Sequence, residues 1–424
     1  MEGRAVACAQ VFVPKGERAQ RAVVFMAIAA VGLIAAGIVY LHPSFNAAAA
    51  RPTHKAAASQ QASDPVFFNV SFGDARHGAV QVFIQGPQLN GTPPIYLTSD
   101  GGRTWKSLPK RPRPILAIRF VDRRRMLAEE FGSRMPRRLV SDDSGRTWQP
   151  LSDDPRQFIF GGSWPVFVGS DGWWLDWQPQ SPPSSQLSPP IGLWRTFDSG
   201  RTWVRTAASG MPQVEFVDQV RFIDQRHGLF AATDLGQAMV VATSDGGVAW
   251  HATARFDTPM AGTRPPGIFL LQRGPRLLAW LAVSSWDFQS GAPTPGESPT
   301  VSNFASVSDD GGATWGPLRA GPVTTAPYGA TVVVDDSGRL LLLEGHRLWI
   351  SEDDGATWVT RVAVMPAGLV PIFMSGAVPG SVYAVAFRSA GIPRLGNTPA
   401  VLLSSSDGGI HWTEVHFPGN PSSV

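Results

Sequence analysis

The chain has 424 residues, 43% of them apolar and 16% charged, with 44 glycines and 37 prolines, which excludes a chain disordered throughout and fits a turn-rich globular protein better than a helical bundle. A single cysteine, Cys8, excludes a disulfide framework and a paired-cysteine zinc site. The formal charge of +3 arises in residues 1–60, which hold six basic and two acidic side chains; the remainder is near neutral, which excludes a chain-wide polycation built for nucleic acid.

Residues 1–21 form a short basic tail that ends in Arg18 and Arg21. From Ala22 to Leu41 runs a stretch of 20 residues without a charge, which as a helix reaches about 30 Å, the thickness of a bilayer core. The flanking arginines place the N-terminus in the cytoplasm and everything beyond His42 outside it. A cleaved signal peptide, with Ala47 to Ala50 as the processing site, is the rival reading. The apolar run exceeds the roughly 7–15 residues of a signal core, so a retained transmembrane anchor is expected. Residues 42–64, rich in Ala, Ser, Gln and Pro, read as a flexible linker.

Beyond the linker, one octapeptide recurs seven times. It reads TSDGGRTW at 98–105, SDDSGRTW at 141–148, TFDSGRTW at 196–203, TSDGGVAW at 243–250, SDDGGATW at 308–315, SEDDGATW at 351–358 and SSDGGIHW at 405–412. Position one is Ser or Thr throughout. Position three is Asp (Asp100, Asp143, Asp198, Asp245, Asp310, Asp353, Asp407), position five is Gly, and position eight is Trp (Trp105, Trp148, Trp203, Trp250, Trp315, Trp358, Trp412). An Asp there accepts bonds from backbone N–H groups of the turn it opens. The glycine supplies the positive φ of a tight link, and the Trp starts the next strand with an apolar anchor. Successive aspartates lie 43 to 65 residues apart, a period that means a repeat architecture.

Three strand-like runs precede each octapeptide and one follows it. In the first repeat the three are 67–72, 79–84 and 95–98; in the fourth they are 217–223, 228–233 and 238–243. Four antiparallel strands per repeat, seven times over, predict an all-β fold: a seven-bladed β-propeller over residues 65–418, followed by a short tail at 419–424.

The octapeptide resembles the Asp-box, or bacterial neuraminidase repeat, S-x-D-x-G-x-T-W. Its seven copies cover about four fifths of the chain. That superfamily includes sialidases, xyloglucan-cleaving hydrolases, sortilin-type receptor domains and photosystem II assembly factors of the Ycf48 kind. The T-x-D-G-G-x-T-W form, preceded by F-x-D-x-x-H-G from Phe72 to Gly78 and from Phe222 to Gly228, looks most similar to the assembly-factor and sortilin-like members. The resemblance implies the propeller fold more strongly than any one function.

Residues repeated in every blade are expected to be structural, which covers the seven aspartates, and the equivalent places of His77 and His227 in two blades point to a turn role. No copy has the alternating ligands of a calcium loop, so neither metal nor cofactor is expected. A sialidase would carry Arg-Ile-Pro ahead of the first octapeptide; residues 65–97 hold Arg76 alone, and Tyr383 with Arg388 is the one faint echo of its site. Two features are not shared by all blades. The first is the segment from Arg103 to Arg146, with 13 basic and 5 acidic residues, including Arg123, Arg124, Arg125, Arg137 and Arg138. It predicts a basic patch for an anionic surface, an acidic polymer or an acidic protein. The second is a set of long connections at 85–94, 178–190, 286–300 and 388–399, all between second and third strands and therefore on one face. Beside them Trp173, Trp174, Trp177, Trp286 and Phe288 offer stacking surface to a glycan or peptide. A non-catalytic binding or assembly module is the expected function. The alternative is a glycoside hydrolase using Asp171, Asp176 or Asp287, which needs two carboxyls roughly 5–10 Å apart.

Overall fold

The computed structural model describes residues 65–84, 94–109, 113, 115–130, 137–150, 165–176, 192–212, 214, 216–217, 220–234, 237–257, 267–285, 300–325, 332–378, 380–388 and 400–418. The expected anchor, linker and C-terminal tail lie outside them. Among the described residues no helix is long and apolar enough to cross a membrane.

Among the described residues, twenty-nine strands form seven antiparallel sheets. Blade 1 is β1 (Pro65–Phe72), β2 (Gly78–Ile84), β3 (Ile95–Thr98) and β4 (Lys106–Ser107). Blade 2 is β5 (Ile115–Phe120), β6 (Met126–Glu130), β7 (Arg137–Ser141) and β8 (Gln149–Pro150). Blade 3 is β9 (Val166–Val168), β10 (Asp171–Asp176), β11 (Gly192–Thr196) and β12 (Val204–Thr206). Blade 4 is β13 (Phe216–Val217), β14 (Arg221–Phe222), β15 (Gly228–Asp234), β16 (Gln237–Thr243) and β17 (His251–Phe256). Blade 5 is β18 (Gly267–Arg273), β19 (Arg276–Ser284), β20 (Val301–Ser308) and β21 (Arg319–Thr324). Blade 6 is β22 (Val332–Val334), β23 (Leu340–Glu344), β24 (Arg347–Ser351) and β25 (Val359–Val362). Blade 7 is β26 (Leu369–Val378), β27 (Ser381–Arg388), β28 (Ala400–Ser405) and β29 (Thr413–Glu414).

The seven-bladed propeller expected from the repeat is therefore present, with one refinement in blade 4. Its first strand, expected as 217–223, is two pieces, β13 and β14, both paired with β15. The register shifts by one residue between Val217↔Ala232 and Arg221↔Leu229, the signature of a bulge. The first strands of blades 1, 2 and 7 are bulged as well.

First strands of neighbouring blades touch one another, β1 with β5 and β26, and β22 with β18 and β26, so they line the axis. Both faces of a blade are covered by its neighbours, so the middle strands do not alternate. Six of the seven residues of β15 and of β16 are buried. The outer strands are wet, and all four residues of β25 are exposed. The ring closes by packing of blade 7 on blade 1, without a shared strand. Phe72 stacks on Tyr383 at 5.4 Å and Tyr96 on Phe417 at 4.6 Å, and the Tyr383 hydroxyl donates to the Gly101 carbonyl at 3.3 Å. Burial pushes the pKa of Tyr383 up to about 12.

Each octapeptide forms the same corner between third and fourth strands. In blade 2 the Ser141 hydroxyl donates to Asp143 Oδ1 at 2.8 Å and accepts from the Gly145 N–H at 2.8 Å. The Thr147 N–H donates to Oδ1 at 2.8 Å and its hydroxyl to Oδ2 at 2.6 Å. The Trp148 indole N–H closes the corner on the Gly145 carbonyl at 2.9 Å. Two successive residues adopt positive φ, Ser144 at 59° and Gly145 at 83°. The sequence pointed to position five alone; position four is held left-handed too, by Ser144, Ser199 and Asp354 in three copies. Six of the seven Trp side chains sit in the seam with the preceding blade: Trp250 joins Trp173, Leu175 and Leu193 of blade 3, and Trp412 joins Leu341, Leu343 and Leu348 of blade 6, whereas the ring contacts of Trp203 are with Phe167 and Trp174 of its own blade.

The two departures at position seven are solved differently. His411 Nδ1 lies 2.6 Å from Asp407 Oδ2, taking the place of the threonine hydroxyl. Ala249 has no hydroxyl, and its N–H is shared between both Asp245 oxygens at 3.0 and 3.1 Å. Ala249→Thr restores the missing bond and is expected to raise stability by about 0.5–1 kcal/mol, read as a higher urea midpoint at constant slope. A lower midpoint would show that the hydroxyl is not what the corner lacks.

Burial alone would push the corner carboxyls up, but for Asp100, Asp143, Asp198 and Asp407 the bonds they accept outweigh it and hold each at about 2. At Asp310 the Thr314 hydroxyl is the largest influence, again giving about 2. A depressed carboxyl stabilises the fold above its unfolded value of about 3.9 and stops doing so as pH falls through the folded value. The urea midpoint is therefore expected to fall steeply between about pH 4 and pH 2; a midpoint unchanged over that window would exclude the corners as acid-sensitive locks.

Candidate functional site

Antiparallel strands place all corners at one end of the blades, together with the turns between first and second strands. Main-chain bonds tie the two, Gly101 N–H to Arg76 O at 2.9 Å in blade 1 and Ser144 N–H to Arg124 O at 2.8 Å in blade 2. This end is the corner face. The opposite end carries the connections between second and third strands, where the long connections of blades 1, 3, 5 and 7 leave β2, β10, β19 and β27.

The basic segment does not make one patch. Arg123, Arg124 and Arg125 form the first turn of blade 2 on the corner face, whereas Arg137 and Arg138 open β7 at the other end. The five residues of β6 separate them by about 17 Å. Arg138 is consumed by the seam: it is nine-tenths buried, 3.5 Å from Glu129, with its guanidinium 3.8 Å from the centre of the Trp174 ring.

The turn of Arg123–Arg125 repeats a device found in blades 1 and 4. Asp74 Oδ1 accepts the N–H groups of Arg76 and His77, both at 2.7 Å, and Asp224 does the same for Arg226 and His227. The paired His77 and His227 are thereby turn residues, each with Nδ1 against its own aspartate. In blade 2 Asp122 accepts from Arg124 and Arg125 at 2.8 and 2.7 Å. Arg125 stands where the other turns have histidine, and its Nε reaches Asp142 of the neighbouring corner at 2.7 Å. Arg123 and Arg124 are exposed, with no carboxylate partner among the described residues.

These residues line a cavity of about 700 Å³ with Asp74, Asp122, Asp142 and Arg201 of blade 3. Its three carboxylates are already engaged, by the first turns and by Arg125, so the unspent polar capacity lies with Arg123 and Arg124. Planar, bidentate donors of this kind fit carboxylate, sulfate or phosphate. Asp74, Asp142 and Arg201 did not stand out in the sequence. A signal for Arg201 was present, because position six of the octapeptide is Arg103, Arg146 and Arg201 in blades 1–3 but Val248, Ala313, Ala356 and Ile410 in blades 4–7.

The expected aromatic surface is different from the one found. Trp173 is fully buried, stacked on Phe222 at 3.8 Å, with its indole N–H donating to Gly246 O at 2.9 Å. Trp174 is 4% exposed and packs beside Trp194. Neither presents a ring to solvent. Trp177, Trp286, Phe288 and Asp287 lie outside the described residues. Asp171 begins β10 on the corner face, near Arg195 Nη2 at 3.4 Å, whereas Asp176 ends β10 on the other face. About 17 Å of strand separates them, too far for a glycosidase pair. Tyr383 belongs to the ring closure and Arg388 binds Glu414 at 2.7 Å, so the two do not form a carboxylate-binding site. Among the described residues no group of three or more His, Cys, Asp or Glu side chains is arranged to hold a metal.

No protein-family model matches the chain, and no curated protein matches it. Solved structures do. A structure described as YCF48 bound to D1 peptide matches at 15% identity with a TM-score of 0.45, over 80% of this chain and 93% of that one. A puromycin hydrolase mutant complexed with PGG matches at 13% identity and TM-score 0.49, over 86% of this chain and 55% of the other. A xyloglucanase of glycoside hydrolase family 74 from Xanthomonas campestris matches at 16% and 0.31, over 80% of this chain and 53% of the other. The chain thus spans only about half of the last two, and at these identities the likeness concerns the fold alone.

The division of the arginines is open to test. Arg138→Ala removes a buried ion pair and a stacked cation, and is expected to cost about 1–3 kcal/mol, whereas Arg123→Ala stays within about 0.5 kcal/mol of the parent. Equal losses in urea unfolding would contradict the separation of a seam arginine from surface ones.

Proposed function

We propose that the protein is a non-catalytic binding or assembly module, an Asp-box propeller that recognises an anionic partner, protein or glycan, through arginines. The observation that carries this reading is the cavity lined by Arg123, Arg124, Arg125 and Arg201, whose carboxylates are internally satisfied.

The uncharged run from Ala22 to Leu41 supports a membrane tether with the propeller outside the cytoplasm.

The test is made on the full chain in detergent, assayed for retention on an immobilised oligoglutamate matrix and, in parallel, against a panel of fluorogenic glycosides. Retention that is lost on replacing both Arg123 and Arg124 by Glu, with no glycoside turned over, is the expected result. Turnover that disappears on Asp176→Asn or Asp287→Asn would establish a glycoside hydrolase instead. Separately, the chain is expected to stay with membranes after a carbonate wash; a mature N-terminus near Ala50 would replace the anchor by a cleaved signal.

A further inference from the structure

Charge is not shared evenly around the corner face. In blades 1 and 2 the first turns and octapeptides (73–77, 98–105, 121–125 and 141–148) hold six arginines and five aspartates. In blades 5 and 6 the corresponding segments (273–276, 308–315, 335–339 and 351–358) hold three arginines and seven carboxylates. The pairing within each sector widens the contrast. The five aspartates of blades 1 and 2 are spent on the two corners, on the first turns and on Arg125. Arg76, Arg103, Arg123, Arg124 and Arg146 are exposed and have no carboxylate partner among the described residues.

Blades 5 and 6 are the reverse, with their cations consumed. Arg273 and Arg276 both bind Asp354, and Arg339 binds Asp335 at 2.7 Å. Glu352 is exposed and has no cationic partner among the described residues. Asp336, also exposed, accepts the Gly380 N–H at 2.8 Å, and the Asp309 side chain is 71% exposed beyond its contact with Arg276.

The two sectors lie near opposite sides of the ring, with blades 3 and 4 between them on one side and blade 7 on the other. A two-fold rotation about an axis lying in the face turns a second copy over onto the first and exchanges the two sides. Each basic sector then covers an acidic one, and the two contacts are identical by symmetry. The axis crosses the face over blades 3 and 4, which carry Phe197, 58% exposed, and Val248, 49% exposed, so these blades meet their own counterparts. Seven corners and their turns offer more than the roughly 20–30 residues a side of a standard interface. A polyanion or an anionic bilayer broad enough to cover the face would meet the acidic sector too, and repulsion there would offset the attraction elsewhere.

We infer that the corner face is an interface with a second copy of this chain, a two-fold pair in which the unpaired arginines of blades 1 and 2 in one copy face Asp309, Asp336 and Glu352 of the other. The inference rests on the anion reading above and names its partner, the acidic sector of another propeller.

Sedimentation velocity of the full chain in density-matched detergent reads the pairing. Two charge-reversed variants are compared with the parent: Arg123→Glu with Arg124→Glu, and Asp336→Arg with Glu352→Arg. Each alone is expected to pair at least tenfold more weakly than the parent, whose own pairing weakens steeply with salt. An equimolar mixture of the two is expected to pair again, within about threefold of the parent, because each reversed sector finds its opposite on the other chain. Recovery in the mixture also shows that both variants are folded. Should Asp336→Arg disturb its turn, seen as earlier thermal unfolding, Glu352→Arg alone takes its place. A parent that stays monomeric, a pair indifferent to either reversal, or folded variants that fail to recover when mixed would overturn the inference. Retention on oligoglutamate separates that failure from the reading beneath it. Retention that still depends on Arg123 and Arg124 leaves the anion reading in place, and retention indifferent to them removes both.

Discussion

Everything in this molecule hangs on a carboxylate accepting hydrogen bonds from its own turn. Two consecutive left-handed residues are costly, and a free chain would not hold them in register with the strands on either side. The position-three aspartate offsets that cost by collecting donors from both sides of the turn: a hydroxyl before it, an N–H beyond it and, in six of the seven copies, a hydroxyl or imidazole beyond that. Once the corner is closed, the tryptophan that follows goes, in six of the seven blades, into the seam with the preceding blade. A local bond thus fixes a long-range contact, and repeating it seven times fixes the ring.

The seams inherit this logic unequally. Six are filled by apolar clusters built from two adjacent blades. Between blades 2 and 3 the described contact is instead a buried arginine, Arg138, between a carboxylate and the Trp174 ring. Blades 5 and 6 add a clamp of their own, in which Asp354 receives both Arg273 and Arg276 from the first turn of blade 5. Asp354 sits at one of the strained position-four sites, so the same residue that bears a left-handed backbone also locks two blades together.

This division explains which features were legible in the sequence. The corner could be read because its chemistry is local: donors and acceptor lie within seven residues, and the period between copies announces the blades. Burial of Trp173 and Trp174 could not be read, because successive residues of a strand normally face opposite sides and one of the pair should be wet. In a propeller both sides are interior, and the pattern that identifies a half-exposed strand loses its meaning. The fate of the basic segment was hidden for a related reason. Charge counted along a chain says nothing of which end of a hairpin each residue occupies, and five residues of β6 were enough to send Arg125 and Arg138 to opposite faces. Arg201 escaped attention because it belongs to a motif whose invariant positions drew the eye from its variable one.

In a repeat protein, the positions that must be the same in every blade are spent on the fold, and specificity is left to those the corner does not constrain. Positions two and six of the octapeptide are such places, since neither side chain takes part in the bonds that close the turn. There the sequence runs Arg, Arg, Arg, Val, Ala, Ala, Ile around the ring, with one aromatic at position two of the third copy. If only solubility governed these sites, charges of both signs would be interspersed, as on ordinary surfaces. The position-six arginines are confined instead to three consecutive blades and followed at once by an exposed valine. A rigid ring thus holds this order of side chains at one blade's spacing, on positions that the closing of the corner leaves free to vary.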